Sequence, residues 1–138
     1  MTGKYDHNLD AKGRLIVPAG IRKELGDACY VTLSFEHCLC IYSEEAWAAF
    51  QDKVNALPQT QTQGLRVLFA NTARCDFDAQ GRILVPQNLR NFVGLGKNVT
   101  IIGFSNHAEI WDSGEYAEIE KQSLNLDNLA AIWKDLRI

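Results

Sequence analysis

Two nine-residue stretches, DAKGRLIVP at 10–18 and DAQGRILVP at 78–86, hold the side chains best placed to do chemistry. In each, an Asp stands four positions before an Arg: Asp10 with Arg14, and Asp78 with Arg82. Gly13 and Gly81 close the turns between them. Asp first and Gly fourth is the composition of a type I turn, with Asp capping the backbone and Gly taking a left-handed bulge position. Such a turn lets the two side chains meet across its base. A carboxylate beside a guanidinium fixes the planar fork and leaves its other N–H groups free to donate elsewhere. The pair has two readings at this point. It stitches a hairpin and faces solvent, an arrangement worth about 0–1 kcal/mol. Alternatively, it offers Arg14 and Arg82, with Lys12 and Gln80 beside them, to an acceptor outside the chain. Arg suits guanine or phosphate, and Gln suits adenine or a phosphate oxygen, so a protruding loop of this kind can read a DNA groove. Phosphate would repel Asp10 and Asp78, so their expected part is to orient the arginines.

Other candidate chemistry is thinner. HCLC at 37–40 supplies a His and two thiols, but there is no C-x-x-C pair, and Cys38 and Cys40 alternate onto one strand face. Buried core cysteines are the expectation and a metal site is not. A cysteine nucleophile paired with His7, His37 or His107 lacks a local signature. Neither a phosphate-binding loop nor a dinucleotide fingerprint occurs, so no cofactor and no small-molecule substrate is expected. Trp47, Trp111 and Trp133 fall on amphipathic stripes or strand ends and are assigned to packing. Lys4, Arg22 and Arg90 could touch phosphate; for Arg22 and Arg90 a solvated helix face is the expectation.

The two stretches belong to a larger duplication. Residues 10–33 and 78–101 are identical at ten of 24 positions, including Arg22/Arg90, Gly26/Gly94 and Thr32/Thr100. After one inserted residue, CIYS at 40–43 aligns with EIWD at 109–112. Each half is therefore one structural unit used twice. In the first, KYDHNLD and RLIVP are predicted strands, PAGIRKELG is a short helix begun by Pro18 and closed by Gly26, and CYVTLSF and CLCIYS are two more strands. Ser43 is a predicted N-cap for a helix through Leu57, with Trp47, Phe50, Val54 and Leu57 on one stripe, ended by Pro58. QTQTQG at 59–64 reads as a polar connector or helix start, and a helix with Leu65, Leu68 and Phe69 follows. The second unit repeats the pattern. A helix near 113–123 and an amphipathic end helix with Leu126, Leu129, Ile132, Trp133 and Leu136 complete the chain. That last helix packs on its own chain or on another copy.

The 138 residues fit one ordinary domain or two very small ones. At 46% hydrophobic and 22% charged, the composition is globular. No apolar run reaches the roughly 20 residues of a membrane helix, and the polar start suggests neither export nor a membrane partner. A cytoplasmic protein with reduced thiols is expected. The net charge of −3 is unevenly spread. Residues 1–26 carry five basic and three acidic residues, and residues 72–98 carry four and two, so each window is +2 while the remainder is −7. Positive charge gathers around the two repeated stretches, where a phosphate-binding face would need it.

The block LDAKGRLIVP, its second form FDAQGRILVPQNLR, the 68-residue offset and the EIWD sequel resemble the MraZ family over essentially the whole chain. These are bacterial transcriptional regulators of the AbrB/SpoVT-like swapped-hairpin class. The resemblance implies an α+β fold: a duplicated swapped-hairpin, β-barrel-like core with flanking helices. It implies a first repeat over 5–50 with its helix to about 57, a second over 74–117 and a C-terminal helix over 118–138, the repeats intertwined as one unit. It also implies a ring-shaped homo-oligomer in the cytoplasm and at the nucleoid. That ring binds direct repeats in promoter double-stranded DNA and mainly represses the cell-division and cell-wall operon. DNA contact would fall on 10–14 and 78–82, with Arg14 and Arg82 strongest. The alternative is a protein-binding scaffold like the antitoxins of this class, although those carry a single hairpin and a disordered tail.

Overall fold

Punctuation residues act where they stand in the computed structural model, which describes residues 1–137. The first half runs β1 (Lys4–Asn8), β2 (Arg14–Ile16), α1 (Ala19–Leu25), β3 (Ala28–Leu33), β4 (Leu39–Ser43) and α2 (Glu44–Asn55). Pro18 precedes α1 and its carbonyl accepts the Arg22 N–H at 2.8 Å, while Gly26 closes the helix. Ser43 caps α2 by accepting the Ala46 N–H at 3.1 Å, as Asp112 caps a later helix through the Glu115 N–H. Such caps satisfy backbone donors that the first helical turn leaves unpaired. Trp47 is buried on the α2 stripe, where it stacks on Tyr30 and meets Phe50 and Phe69, whereas Leu57 at the stripe's end is exposed. The linker is helical in pieces: α3 (Gln59–Thr62), a 3-10 turn at Gln63–Leu65 and α4 (Arg66–Ala70). Gly64, a weak helix former, sits at the break.

The second half runs β5 (Ala73–Asp76), β6 (Arg82–Leu84), α5 (Gln87–Phe92), β7 (Asn98–Phe104), β8 (His107–Asp112), α6 (Ser113–Ser123) and α7 (Leu126–Leu136). The fold is mixed α/β. Every ladder among the described residues is antiparallel. Six strands form one sheet in the order β1-β7-β8-β4-β3-β5, and β2 pairs with β6 separately.

That order departs from the local reading of each turn as a self-contained hairpin. The strands flanking each D-x-x-G-R turn form no ladder with each other. β1 pairs instead with β7 over five positions, from Lys4↔Ile102 to Asn8↔Asn98, and β5 pairs with β3 from Ala28↔Asp76 to Val31↔Ala73. Each half thus gives its first strand to the other half. β2 spans only three residues, and a hairpin of that size is marginal alone, whereas β7 offers seven. Buried threonines bind the exchanged strands. Thr100 Oγ1 donates to Asp6 Oδ1 at 2.8 Å, and Thr32 Oγ1 lies 2.8 Å from Thr72 Oγ1.

Equivalent positions of both halves meet in one core. Leu15 and Ile83, Val17 and Val85, Ile21 and Leu89, Leu25 and Val93, and Val31 and Val99 are all buried in the same cluster. Fully burying such a side chain stabilises by about 1.5–3 kcal/mol, so neither half retains its core without the other.

The helices after β2 and β6 also cross between halves. Arg90 on α5 lies over Gly13, where a Cβ would come within 2.6 Å of its Cζ, and Arg22 on α1 lies over Gly81, where a Cβ would overlap Nη1. Both glycines have positive φ, 84° and 77°. Gly81→Ala is therefore expected to destabilise the fold by about 1–3 kcal/mol, from left-handed backbone strain and a displaced Arg22. Gly20→Ala, in α1 with open space beside it, is expected to be neutral or to stabilise by up to about 1 kcal/mol. Urea unfolding midpoints measure both; equal midpoints for the two variants would refute this account of Gly81.

Candidate functional site

The two turns share one local construction. The Asp10 carbonyl accepts the Gly13 N–H and the Asp10 N–H donates to the Arg14 carbonyl, both at 3.0 Å; Asp78, Gly81 and Arg82 repeat both bonds at 3.0 Å. Asp10 Oδ1 accepts the Lys12 and Arg14 backbone N–H groups at 2.9 and 2.8 Å, and Asp78 Oδ1 accepts those of Gln80 and Arg82 at 2.9 Å. The second carboxylate oxygen then takes the guanidinium: Arg14 Nε donates to Asp10 Oδ2 at 2.5 Å and Arg82 Nε to Asp78 Oδ2 at 2.8 Å. One Asp thus folds its loop with one oxygen and aims its Arg with the other. The Arg14 backbone N–H is the main cause holding the Asp10 carboxyl at about 2, with the guanidinium and the Lys12 N–H adding to it; Asp78 is lowered by the same arrangement.

The turns are brought together by β2 and β6, whose register sets Arg14 opposite Leu84 and Ile16 opposite Arg82. Val17 N–H to the Gly81 carbonyl at 3.1 Å and Val85 N–H to the Gly13 carbonyl at 3.0 Å extend the ladder. Leu15 and Ile83 point into the core, and alternation places Arg14, Ile16, Arg82 and Leu84 on the other face. Arg82 Nη1 comes within 4.0 Å of Asp10 Oδ2, so the loops touch electrostatically. Both Nη groups of Arg14 have no hydrogen-bond acceptor among the described residues. Lys12 and Gln80 are exposed beside them.

Arg14, Arg82 and their aspartates therefore lie on one small surface, while Gly13 and Gly81 are buried beneath Arg90 and Arg22; Ile16 and Leu84 are exposed between the arginines, a feature the sequence reading missed. Arg22 and Arg90 are corrected. They are not solvated: each is half-buried over the opposite loop's glycine and donates back to its own chain segment, Arg90 Nε to the Val85 carbonyl at 2.9 Å and Arg22 Nη1 to that of Val17 at 3.4 Å. Their identity at matching repeat positions was the signal for this shared duty. Lys4 is engaged by Glu120 at 2.6 Å. All four cysteines are buried, as expected for core residues.

This surface can do one kind of chemistry well. Its fixed guanidiniums donate several N–H groups to planar or anionic oxygen and nitrogen acceptors. The exposed Ile16 and Leu84 add apolar contact. No described helix is long and apolar enough to cross a membrane.

Comparison with known proteins agrees with the duplicated architecture. A family model described as "MraZ protein, putative antitoxin-like" matches residues 1–66 and again 68–135, once per half. The "Transcriptional regulator MraZ" of Halothermothrix orenii is 40% identical over 142 residues, covering 99% of this chain and 98% of that protein. The protein of the same name from Caldicellulosiruptor bescii is 37% identical, covering 100% of this chain and 99% of its own length. That from Carboxydothermus hydrogenoformans is 41% identical over 112 residues, covering 79% and 78%. With its two D-x-x-G-R turns, its exchanged strands and these full-length likenesses, the chain belongs to the MraZ family.

Proposed function

We propose that this chain is a transcriptional regulator, mainly a repressor, that binds double-stranded DNA sequence-specifically through the paired loops at 10–14 and 78–82. The observation that carries this reading is the pair of arginines, each fixed by its own Asp and both on one face with unspent donors. Arg14 and Arg82 address guanine or phosphate, Lys12 adds charge, and Gln80 reads an adenine or a phosphate oxygen. Asp10 and Asp78 orient, and Gly13 and Gly81 set the turn. No catalysis enters, in keeping with a family of regulators, and no cofactor is required.

The exchange of first strands supports assigning the fold to the swapped-hairpin class. One chain offers a single pair of loops, so useful affinity needs several copies on one scaffold. A ring-shaped homo-oligomer meets that need, and its head-to-tail repeat matches direct repeats better than palindromes. The target is the promoter of the cell-division and cell-wall operon, which places the protein at the nucleoid. A second reading, a scaffold that binds a partner protein, draws on α7, whose Leu126, Ile132, Trp133 and Leu136 are exposed.

Binding to a duplex with tandem G-containing repeats is expected to weaken steeply with salt, in proportion to the phosphates engaged. Arg14→Ala with Arg82→Ala is expected to lower affinity at least tenfold, on the order of 1.4 kcal/mol, and to flatten the salt slope. A double variant that binds like the parent would remove the loops from the interface. A parent that ignores every duplex but retains a cellular protein would favour the scaffold. The aspartates give a pH expectation. Their folded pKa values lie below the ordinary 3.8, so their stabilisation is full above that value and is lost as pH falls through the folded pKa, which for Asp10 is about 2. Asp10→Asn is expected to shrink the acid-induced loss of stability, measured by unfolding midpoints between about pH 2 and 5. An unchanged acid dependence would mean that the carboxylate's bonds within the turn contribute nothing to stability.

A further inference from the structure

We propose that Cys38, Cys40 and Glu109 form a binding site for one divalent cation of the zinc class, joining the two halves of the chain at the centre of the sheet. β4 and β8 are adjacent, and their register sets Cys40 directly opposite Glu109. Cys38, in the bend just before β4, is buried beside them. One ligand atom from each of the three residues lies within 4.8 Å of the other two. Zinc–sulfur bonds of about 2.3 Å in tetrahedral geometry set ligand atoms roughly 3.5–3.8 Å apart, so side-chain rotations that draw the atoms in by about 1 Å close the site.

The carboxylate supplies the second argument. Glu109 is only 8% exposed, and among the described residues it forms no ion pair. The side chain that hydrogen-bonds to it is Trp111, whose Nε1 donates to Oε1 at 3.1 Å. A buried carboxylate is costly unless a cation compensates it. Two thiolates and a carboxylate suit a borderline-soft cation such as Zn2+ rather than Mg2+ or Ca2+. Outer contacts of the kind that orient metal ligands are already in place: Trp111 on Glu109, and Ser34 Oγ at 3.3 Å from Cys38 Sγ.

The duplication places ligand types at matching positions of both halves. Cys38 and Cys40 correspond to His107 and Glu109. An adjoining cavity of about 650 Å³, bordered by Ser34, Cys40, Tyr42, His107 and Glu109, gives the ion a route inward and leaves water for the fourth position. Bound there, the ion staples β4 of one half to β8 of the other.

The test uses the full chain, reduced and stripped of metal by a chelator, titrated with Zn2+ against a chromophoric competitor and separately with Co2+. One equivalent per chain is expected, with thiolate-to-cobalt charge-transfer absorption and intense tetrahedral d–d bands. Cys38→Ser and Cys40→Ser should each weaken zinc binding by more than the roughly 10- to 100-fold that loss of an outer-shell partner costs. Glu109→Gln should weaken it as well, and Cys75→Ser on β5 should leave it unchanged. Saturating zinc should raise the thermal midpoint, and affinity should fall with pH because the thiols must release protons. Absence of stoichiometric uptake overturns the site, as does a serine variant that binds zinc like the parent. Where a variant does not fold, the parent's cobalt spectrum decides alone: thiolate charge transfer supports the site, and its absence removes it.

Discussion

The backbone ladder between Arg14–Ile16 and Arg82–Leu84 is short, but the candidate functional surface and the shared core both depend on it. Its inward residues, Leu15 and Ile83, are fully buried at the junction of the halves. Its outward residues are the two arginines and the aliphatic pair between them. The flanking bonds from Val17 to Gly81 and from Val85 to Gly13 tie each turn's bulge residue to the other half. Arg22 and Arg90 then press on those same glycines. Neither turn is held by its own half alone, so the spacing of the two loops is a property of the whole chain. That is how three-residue strands hold a site steady when an isolated hairpin of their size would fray.

Local chemistry was legible in the sequence, and partner choice was not. Ser43 as a cap, Pro18 before a helix and the Asp-to-Gly turns follow from bonds that close within four residues, which composition reports directly. Asp10 meeting Arg14 is of the same kind. The pairing of β1 with β7 instead of β2 depends on residues some 90 positions away, and polar-alternating strands such as KYDHN do not specify whose edge they join. Arg22 and Arg90 were misread for this reason. Judged on their own short helices they look like solvated charges, because the glycines they cover belong to the other half. Glu109 was unreadable as a neighbour of Cys40 on the same ground.

Pseudo-symmetry does not make the halves equal. Lys12 answers to Gln80 at the loop tips, and the Arg14 side chain is 36% exposed against 25% for Arg82. Arg82 reaches toward Asp10 as well as its own Asp78, whereas Arg14 keeps its outer nitrogens free. On the central strands, the Cys40 thiol of one half stands opposite the Glu109 carboxylate of the other, while His107, the repeat counterpart of Cys38, stacks on Tyr42. A duplicated chain can diverge at such positions without losing its fold, because the matched core pairs carry the packing.

Electrostatics limits what a single copy can do. Each loop arginine is already paired with a carboxylate, so the loops contribute little net charge: +1 from Asp10, Lys12 and Arg14, and none from Asp78 and Arg82. Long-range attraction to a polyanion is therefore weak for one chain, and the −7 outside the two basic windows opposes it further. What the loops hold in abundance is direction: guanidiniums fixed before they meet an acceptor lose little side-chain freedom on contact. Such a surface discriminates between acceptors better than it attracts them. On the proposed reading, occupancy comes from repetition, with neighbouring copies raising the effective concentration of each weak but oriented pair. On that same reading, weak single contacts also keep the protein from settling on arbitrary DNA, which a strongly basic surface would not.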